Sequence, residues 1–240
     1  MSAFRAAPGT LYLVPNLLGA VPPEAVLPRR TIDIARSLAH FVVETPKTAR
    51  LFIKTLQPPR PMQSISFAQI DAHTSRVDEL LAPVLAGQDL GLVSDAGCPG
   101  VADPGATLVR AAHDAGIRVI PLVGPSAILL ALMASGMNGQ QFAFHGYLPV
   151  KPAARNETIK SLDDASAHTG TTQIFIETPY RNEALVAAAL EACRASTRFC
   201  VALDLTLPSE QVICRSIAQW RKLPLPALAK RPAMFLLGRA

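Results

Sequence analysis

Short apolar runs and longer amphipathic stretches alternate along this chain. Runs at 10–14, 41–43, 90–93 and 118–122 have the length and composition of strands, with a further strand predicted near 63–66. Helical spacing falls between them, at 31–39, 46–56, about 75–86 and 104–115, and Pro46 stands at a position that opens a helix. Gly124 and Pro125 punctuate the chain, after which strands are predicted near 142–145, 172–176, 199–203, 212–215 and 234–237. Helices fit within 125–135, 155–165 and 181–192. The alternation predicts an α/β fold in two domains, 1–123 and 124–240, without a Ser/Gly-rich linker between them. Residues 21–30 are rich in Pro and read as irregular.

The sharpest break in the pattern follows the run at 90–93. Ser94, Asp95, Gly97, Pro99, Gly100, Asp103, Pro104 and Gly105 end the strand, and the connection from 94 to 104 takes eleven residues where about 2 to 6 are usual. Gly, Pro and Asp are ordinary turn formers. Small residues after an α/β strand also leave backbone N–H groups open to a ligand in the crevice at the carboxyl ends of the strands. The loop is the first candidate binding site.

Two more strand-to-helix junctions share this character. PLVGPSA at 121–127 places Pro125 and Ser126 at a helix start, suited either to a plain cap or to a ligand-contacting turn. In IFIETPYR at 174–181, Thr178 could cap a helix with Pro179 at its first position, leaving Glu177 and Arg181 as an ion pair or as site residues. The turn after the first strand, Pro15 to Ala20, lacks the G-x-G-x-x-G fingerprint, so a cofactor would be held differently from a Rossmann dinucleotide. Three such loops would converge on a bent, mid-sized cofactor if the domains face each other across a cleft.

Composition narrows the class. Of the 240 residues 50% are hydrophobic and 17% charged, which fits a folded protein with a substantial core. The longest apolar run, 127–134, is eight residues, against about 20 for a membrane span. No secretory h-region opens the chain, so a cytoplasmic location is expected. Cys98, Cys193, Cys200 and Cys214 have no C-x-x-C spacing and read as free thiols, and the five histidines are scattered singly, so no metal site is expected. A net charge of +5 admits an anionic partner such as RNA, although the basic residues form no single block.

Five segments, LYLVPN at 11–16, SDAGCPGVADPG at 94–105, AGIRVIPLVGPSA at 115–127, FHGYLPVK at 144–151 and IFIETPYR at 174–181, resemble the tetrapyrrole methylase superfamily. Within it the chain is most similar to the bacterial 16S rRNA ribose 2′-O-methyltransferase I family. The resemblance implies two α/β/α domains, a homodimer, and S-adenosylmethionine in a cleft between the domains. Carried over by position, it implies cofactor contacts at Val14, Pro15, Asp95, Ala96, Gly97, Cys98, Pro99, Ser126, Ala127, Phe175, Ile176, Leu205, Ala233 and Met234. Substrate contacts fall on Glu44, Lys47, Lys151, Glu177, Tyr180 and Arg181, and Glu210 joins the polar candidates without any of them being singled out as the base.

The departures lie on the substrate side. Where that family has G-N, E-D-T-R, H-x-H-N-E and R-E-L-T-K, this chain has Leu18-Gly19-Ala20, Glu44-Thr45-Pro46-Lys47, a 64–69 segment without His or Glu, and Leu203-Asp204-Leu205-Thr206-Leu207. The chain stops three residues after Leu237, without the family's C-terminal extension. The expectation is a methyltransferase acting on an RNA ribose hydroxyl in rRNA processing. The alternatives are methylation of a tetrapyrrole or other small anionic acceptor, and a protein that binds S-adenosylmethionine without catalysis.

Overall fold

In the computed structural model, which describes residues 7–74 and 76–239, the chain forms two units, Met1–Ser126 and Ala127–Ala240, each with its own sheet. The first unit is built on five strands, β1 (Thr10–Leu13), β2 (His40–Val43), β3 (Ser66–Gln69), β4 (Leu90–Val93) and β5 (Arg118–Pro121). Their order is β3-β2-β4-β1-β5, and each neighbouring pair is parallel. Helices α1 (Arg29–Ser37), α2 (Pro46–Thr55), α3 (Ala82–Leu85) and α4 (Gly105–Asp114) supply the connections.

Alternating side chains feed two cores. Phe41, Val43 and Val93 join Ile32 and Ala35 of α1 and Phe52 and Ile53 of α2 on one face. Val42, Leu90 and Leu92 join Val84 of α3 and Leu108 and Ala112 of α4 on the other. All four residues of β4 are buried, which is why its sequence is continuously apolar instead of alternating. Gly91 is required there, because a Cβ would stand 2.6 Å from the Phe41 ring. The chain leaves β1 toward β2 on one side and leaves β4 toward β5 on the other, so the neighbours β1 and β4 mark the topological switch point where an open α/β sheet has its ligand crevice.

The second unit carries α5 (Ala127–Ser135), β6 (Phe142–Tyr147), α6 (Pro152–Thr169), β7 (Thr172–Ile176), α7 (Asn182–Ala192), β8 (Arg198–Leu203), β9 (Gln211–Ser216), α8 (Ile217–Trp220) and β10 (Ala233–Gly238). Its sheet has the order β6-β7-β10-β8-β9, with β10 antiparallel to both of its neighbours. Phe175, Phe199, Phe235 and Trp220 centre the core with side chains of α6 and α7. Phe235 lies 6.0 Å from Phe175 and 6.2 Å from Phe199, ring centre to ring centre, in offset stacks.

The α/β alternation expected from the sequence is present in both units, with local corrections. The strand expected at 63–66 begins only at Ser66; Met62–Ser64 is a 3-10 turn following Pro61, and the ladder starts where the Ser66 amide donates to the Ala39 carbonyl. The helix expected at about 75–86 is instead a 3-10 turn, Val77–Leu81, followed by the single-turn α3; its expected start, Ser75, lies outside the described residues. Pro83 has no N–H to continue an α-helical ladder, which accounts for the tighter turn before it. Helix α6 is longer than expected, running from Pro152 to a left-handed Gly170 at φ 73°. The periodicity gave no sign of α8, a single turn held by a reciprocal Ser216 and Gln219 cap. Among the described residues no helix is long and apolar enough to cross a membrane, and no group of His, Cys, Asp and Glu could hold a metal ion.

Candidate functional site

In the first unit the site is the loop that follows β4, fastened to the end of β1. The Asn16 amide donates to the Gly97 carbonyl at 2.9 Å, and its side-chain Nδ2 donates to the carbonyls of Ser94 and Asp95 at 3.0 and 3.1 Å. Ser94 turns its hydroxyl inward to the Ala96 and Gly97 carbonyls. Gly97 adopts φ +68°, and a Cβ there would stand 3.2 Å from Leu18. Further along, the Asp103 carboxylate accepts from the Gly100 amide at 2.8 Å and from the Gly105 amide at 2.7 Å, closing the loop onto the start of α4. These bonds explain how eleven residues form a fixed loop.

The fixed backbone presents Asp95 outward. Its Oδ2 accepts from the Thr45 hydroxyl at 2.7 Å, and its amide donates to Glu44 Oε2 at 3.1 Å. Burial pushes the Glu44 carboxyl above its ordinary value, opposed by that amide and helped by the neighbouring charges of Asp95 and Asp103. Burial also lifts Asp103, against the backbone donors that it accepts. Below the loop lies an open groove of about 370 Å³ whose lining includes Asn16, Leu17, Leu18, Phe52, Asp95 and Ala96. Largely apolar walls with one carboxylate, Asp95, among the lining suit a ligand with an apolar body and a cationic or hydroxyl group.

The other residues expected in this unit are disposed around the same loop. Val14 and Pro15 are buried at the end of β1, so what they offer a ligand is main chain. Ala96 is exposed, Pro99 is buried, and the half-buried Cys98 points its thiol to the Pro125 carbonyl at 3.5 Å. Lys47 is exposed near the start of α2. Ser126 closes this unit, and α5 starts at Ala127, one residue later than a Ser126 start and two later than Pro125.

In the second unit, β7 and β8 run the same way, and their carboxyl ends meet the beginning of β10. Glu177, one residue past β7, has a side chain with no exposure; its Oε1 accepts from Arg181 Nη2 at 2.6 Å and from the Thr178 amide at 2.6 Å. Its Oε2 is buried without a partner, as are Thr206 Oγ1 and Asn182 Oδ1. Asp204, Thr206 and Lys230 all adopt left-handed φ values, of 51°, 73° and 61°, a conformation that non-glycine residues hold only where surrounding structure imposes it. Arg231 ties the loops together by donating to Asp204 Oδ2 at 2.8 Å. Buried polar atoms without partners and an imposed backbone make this strand end a candidate for contact with a polar ligand.

The expected residues here fall into three kinds. Phe175 is wholly inside the core and Met234 and Leu205 are buried, whereas Ile176 and Ala233 are partly exposed at the strand ends. Tyr180 is 83% exposed, and Lys151 and Glu210 are exposed, Glu210 accepting from the Thr206 amide. Thr178 and Pro179 do not open a helix: α7 starts at Asn182, and they form the turn in which the Arg181 amide donates to the Thr178 carbonyl. The alternative of a surface ion pair for Glu177 and Arg181 is likewise corrected, since the carboxylate is buried. Asn16, Thr45, Asn182, Asp204, Thr206 and Arg231 were not among the sequence candidates. Asn16 was legible as a polar residue straight after an apolar strand, but the others depend on contacts between distant segments.

Two α/β units with long loops at the carboxyl ends of their strands define the fold class, and the comparisons with known proteins agree with it. The profile described as Tetrapyrrole (Corrin/Porphyrin) Methylases matches residues 24–219, and the chain belongs to this family. Among curated relatives it is similar to "Ribosomal RNA small subunit methyltransferase I" of Xylella fastidiosa, 37% identical over 174 residues, which is 72% of this chain and 60% of that protein. The protein of the same name from Streptococcus pyogenes serotype M1 is 32% identical over 211 residues, 88% of this chain and 70% of the relative. The chain spans 60% and 58% of the length of the Xylella fastidiosa and Synechocystis relatives. The solved structure of the methyltransferase CobJ superimposes with a TM-score of 0.64 at 19% identity, covering 97% of this chain and 95% of that one. Uroporphyrin-III-C-methyltransferase from Thermus thermophilus superimposes with a TM-score of 0.54 at 19% identity, covering 96% and 94%.

Proposed function

We propose that this protein transfers a methyl group from S-adenosylmethionine to an RNA ribose hydroxyl, in ribosomal RNA. The observation that carries the reading is the loop pinned at the β1/β4 switch point with Asp95 facing outward, in a chain whose curated relatives are named rRNA small subunit methyltransferase I. When bound, the cofactor supplies a sulfonium methyl open to in-line displacement.

The chain's own residues divide the remaining work. Asp95 is assigned to accept from the cofactor's ammonium or hydroxyl groups, and Gly97 with the main chain of Val14 and Pro15 allows close approach of the ligand. Ala96, Cys98, Pro99, Ser126 and Ala127 complete the contacts on that side, and Ile176, Leu205, Ala233, Met234 and the main chain of Phe175 supply those of the second unit. The free Glu177 Oε2 and Thr206 Oγ1 fit polar groups of a nucleoside-like ligand. Lys47 shares the exposed face of α2 with Arg50 and Lys54, a spacing of cations that suits successive phosphates. Lys151, Tyr180 and Arg181 are further substrate contacts. Orientation of the acceptor in line with the methyl group supplies most of the acceleration, and an acceptor hydroxyl additionally needs a base, to be found among Glu44, Lys151, Glu177, Tyr180, Arg181 and Glu210. The reading includes a homodimer in the cytoplasm, with the dimer checked by light scattering.

A second reading, methylation of a small anionic acceptor, is favoured by the 64–69 segment, which lacks the His and Glu of the rRNA family. The test begins with thermal unfolding in S-adenosylhomocysteine. Ligand at 100 times its dissociation constant adds about 2.7 kcal/mol, a rise of roughly 5 to 10 °C for a chain of this size. The rise is expected to shrink in Asp95→Ala and Ser126→Trp; no rise with the unaltered protein overturns the reading. Radiolabelled methyl incorporation into rRNA, set against a panel of small anionic acceptors, then decides between the two substrates.

A further inference from the structure

The β8–β9 hairpin holds a pair of thiols for which methyl transfer has no use. Cys200 and Cys214 stand directly opposite each other in the antiparallel register that runs from Arg198↔Ser216 to Leu203↔Gln211. The phase of this ladder is set at its end, where the Ile217 amide donates to the Thr197 carbonyl at 2.9 Å. Hydrogen-bonded positions on β8 therefore fall at Phe199, Val201 and Leu203. On the other side of the strand the Asp204 amide donates to the Pro232 carbonyl, which turns the even-numbered residues toward β10 and gives the same phase. Cys200 and Cys214 are thus a non-hydrogen-bonded pair, the class in which facing Cα atoms come within about 4.5 Å and side chains are closest. A disulfide needs Cα atoms about 4.4 to 6.8 Å apart, so the strand pairing already holds the two backbones within the span that a disulfide bridges.

The surroundings give the two thiols unequal roles. Phe199, Val201, Leu203 and Ile213 pack on the aromatic core, so Cys200 and Cys214 share the opposite face, on which α5 packs. Cys200 is fully buried, while Cys214 is half-buried on the edge strand β9. Cys200 faces Cys214 across the ladder, and Arg198 Nη2 lies 3.6 Å from the Cys214 sulfur while donating to the Cys214 carbonyl at 3.2 Å. Both influences favour the Cys214 thiolate against the penalty of burial, and Cys200 is correspondingly held as the thiol. Arg194 and Arg221 also act on Cys193, but burial, with Asp163 beside it, outweighs them and pushes that thiol up to about 12, and burial raises Cys98.

We propose that Cys214 and Cys200 form an oxidant-sensitive dithiol, in which Cys214 reacts with a peroxide and Cys200 closes a cross-strand disulfide. The Cys214 thiolate attacks one oxygen of hydrogen peroxide, the O–O bond breaks, and hydroxide leaves, giving a sulfenic acid. The Cys200 sulfur then attacks that sulfur; the S–S bond forms, the S–O bond breaks, and the hydroxyl departs with the Cys200 proton as water. The two sulfurs lose two electrons in all, and the peroxide takes them.

The experiment treats the whole protein with hydrogen peroxide, quenches, denatures, alkylates and analyses peptides by mass spectrometry. The four alkylatable cysteines are expected to fall to two, with the Cys200 and Cys214 peptides joined and two hydrogens lost. In Cys200→Ala the joined peptide disappears, and dimedone captures a sulfenic acid on Cys214. The unaltered protein is decisive without any variant: if Cys200 and Cys214 stay alkylatable while Cys98 or Cys193 is consumed, or if the link joins two chains, the proposal is overturned.

Discussion

Asn16 and Gly97 form an isolated antiparallel bridge, through which the end of β1 grips the loop that follows β4. The grip is double, because the Asn16 side chain also holds the Ser94 and Asp95 carbonyls. Asn16→Ala keeps the backbone bond and removes both Nδ2 bonds together with the one that Asn16 Oδ1 accepts from the Leu17 amide at 2.8 Å, leaving a carbonyl at buried Ser94 without that donor. The expected loss is about 1 to 3 kcal/mol, read from urea unfolding. The thermal rise produced by S-adenosylhomocysteine is expected to fall as well, since the carboxylate of Asp95 rides on the released segment.

Asp103 closes the far end of the same loop by accepting from the Gly100 and Gly105 amides. Asp103→Ala strands two donors, one of them at the buried start of α4, and is expected to cost about 1 to 3 kcal/mol. Asp103→Asn keeps one acceptor oxygen and should lose less. Hydrogen exchange at Gly100 and Gly105 checks the cause: both amides should exchange faster in the Ala variant.

Glu44 supplies a pH signature. Its folded pKa lies above the ordinary 4.5, chiefly because of burial, so the folded state holds this proton more tightly than the unfolded chain does. Stability from this group is therefore present below pH 4.5 and declines as the pH rises through the window just above it. Glu44→Gln should flatten that decline, and urea midpoints collected from acid to neutral pH in both proteins will show it. Equal slopes in the two would refute the assignment.

Glu177 and Arg181 are linked at 2.6 Å, with the carboxylate wholly inside and the guanidinium 32% exposed. Arg181→Ala would leave a buried carboxylate whose second oxygen already lacks a partner, with an expected loss of about 3 kcal/mol. Glu177→Gln removes the charge with its cavity filled and should cost less. A double-mutant cycle over the two positions, read by thermal unfolding, gives the coupling.

How much of this could be read from the chain depended on whether a feature was local. Strands β1, β4 and β7 were legible because both of their faces or their ends carry continuous apolar residues flanked by turn formers. The loop at 94–104 was legible because Gly, Pro and Asp cluster there. Short 3-10 turns at Pro61 and before Pro83 were misread as strand and helix, since a proline's effect on the local ladder overrides a weak apolar period. The partners of Asp95 were not legible, because Thr45 and Glu44 reach it across some fifty positions of sequence. The same holds for Arg231 on Asp204, and for Asn182 on the carbonyls of Leu228 and Arg231.

The place of β10 sets an order of events during synthesis. It runs between β7 and β8, yet it is made after both of them. The first unit has all five of its strands once Pro121 has emerged from the ribosome, so its parallel sheet can assemble while the rest is still being translated. The second sheet is complete only once residues 233–238 take the place between β7 and β8. Until then those two strands lack the partner that their facing edges have in the native sheet, and Phe175 and Phe199 lack the ring of Phe235 that stacks on both.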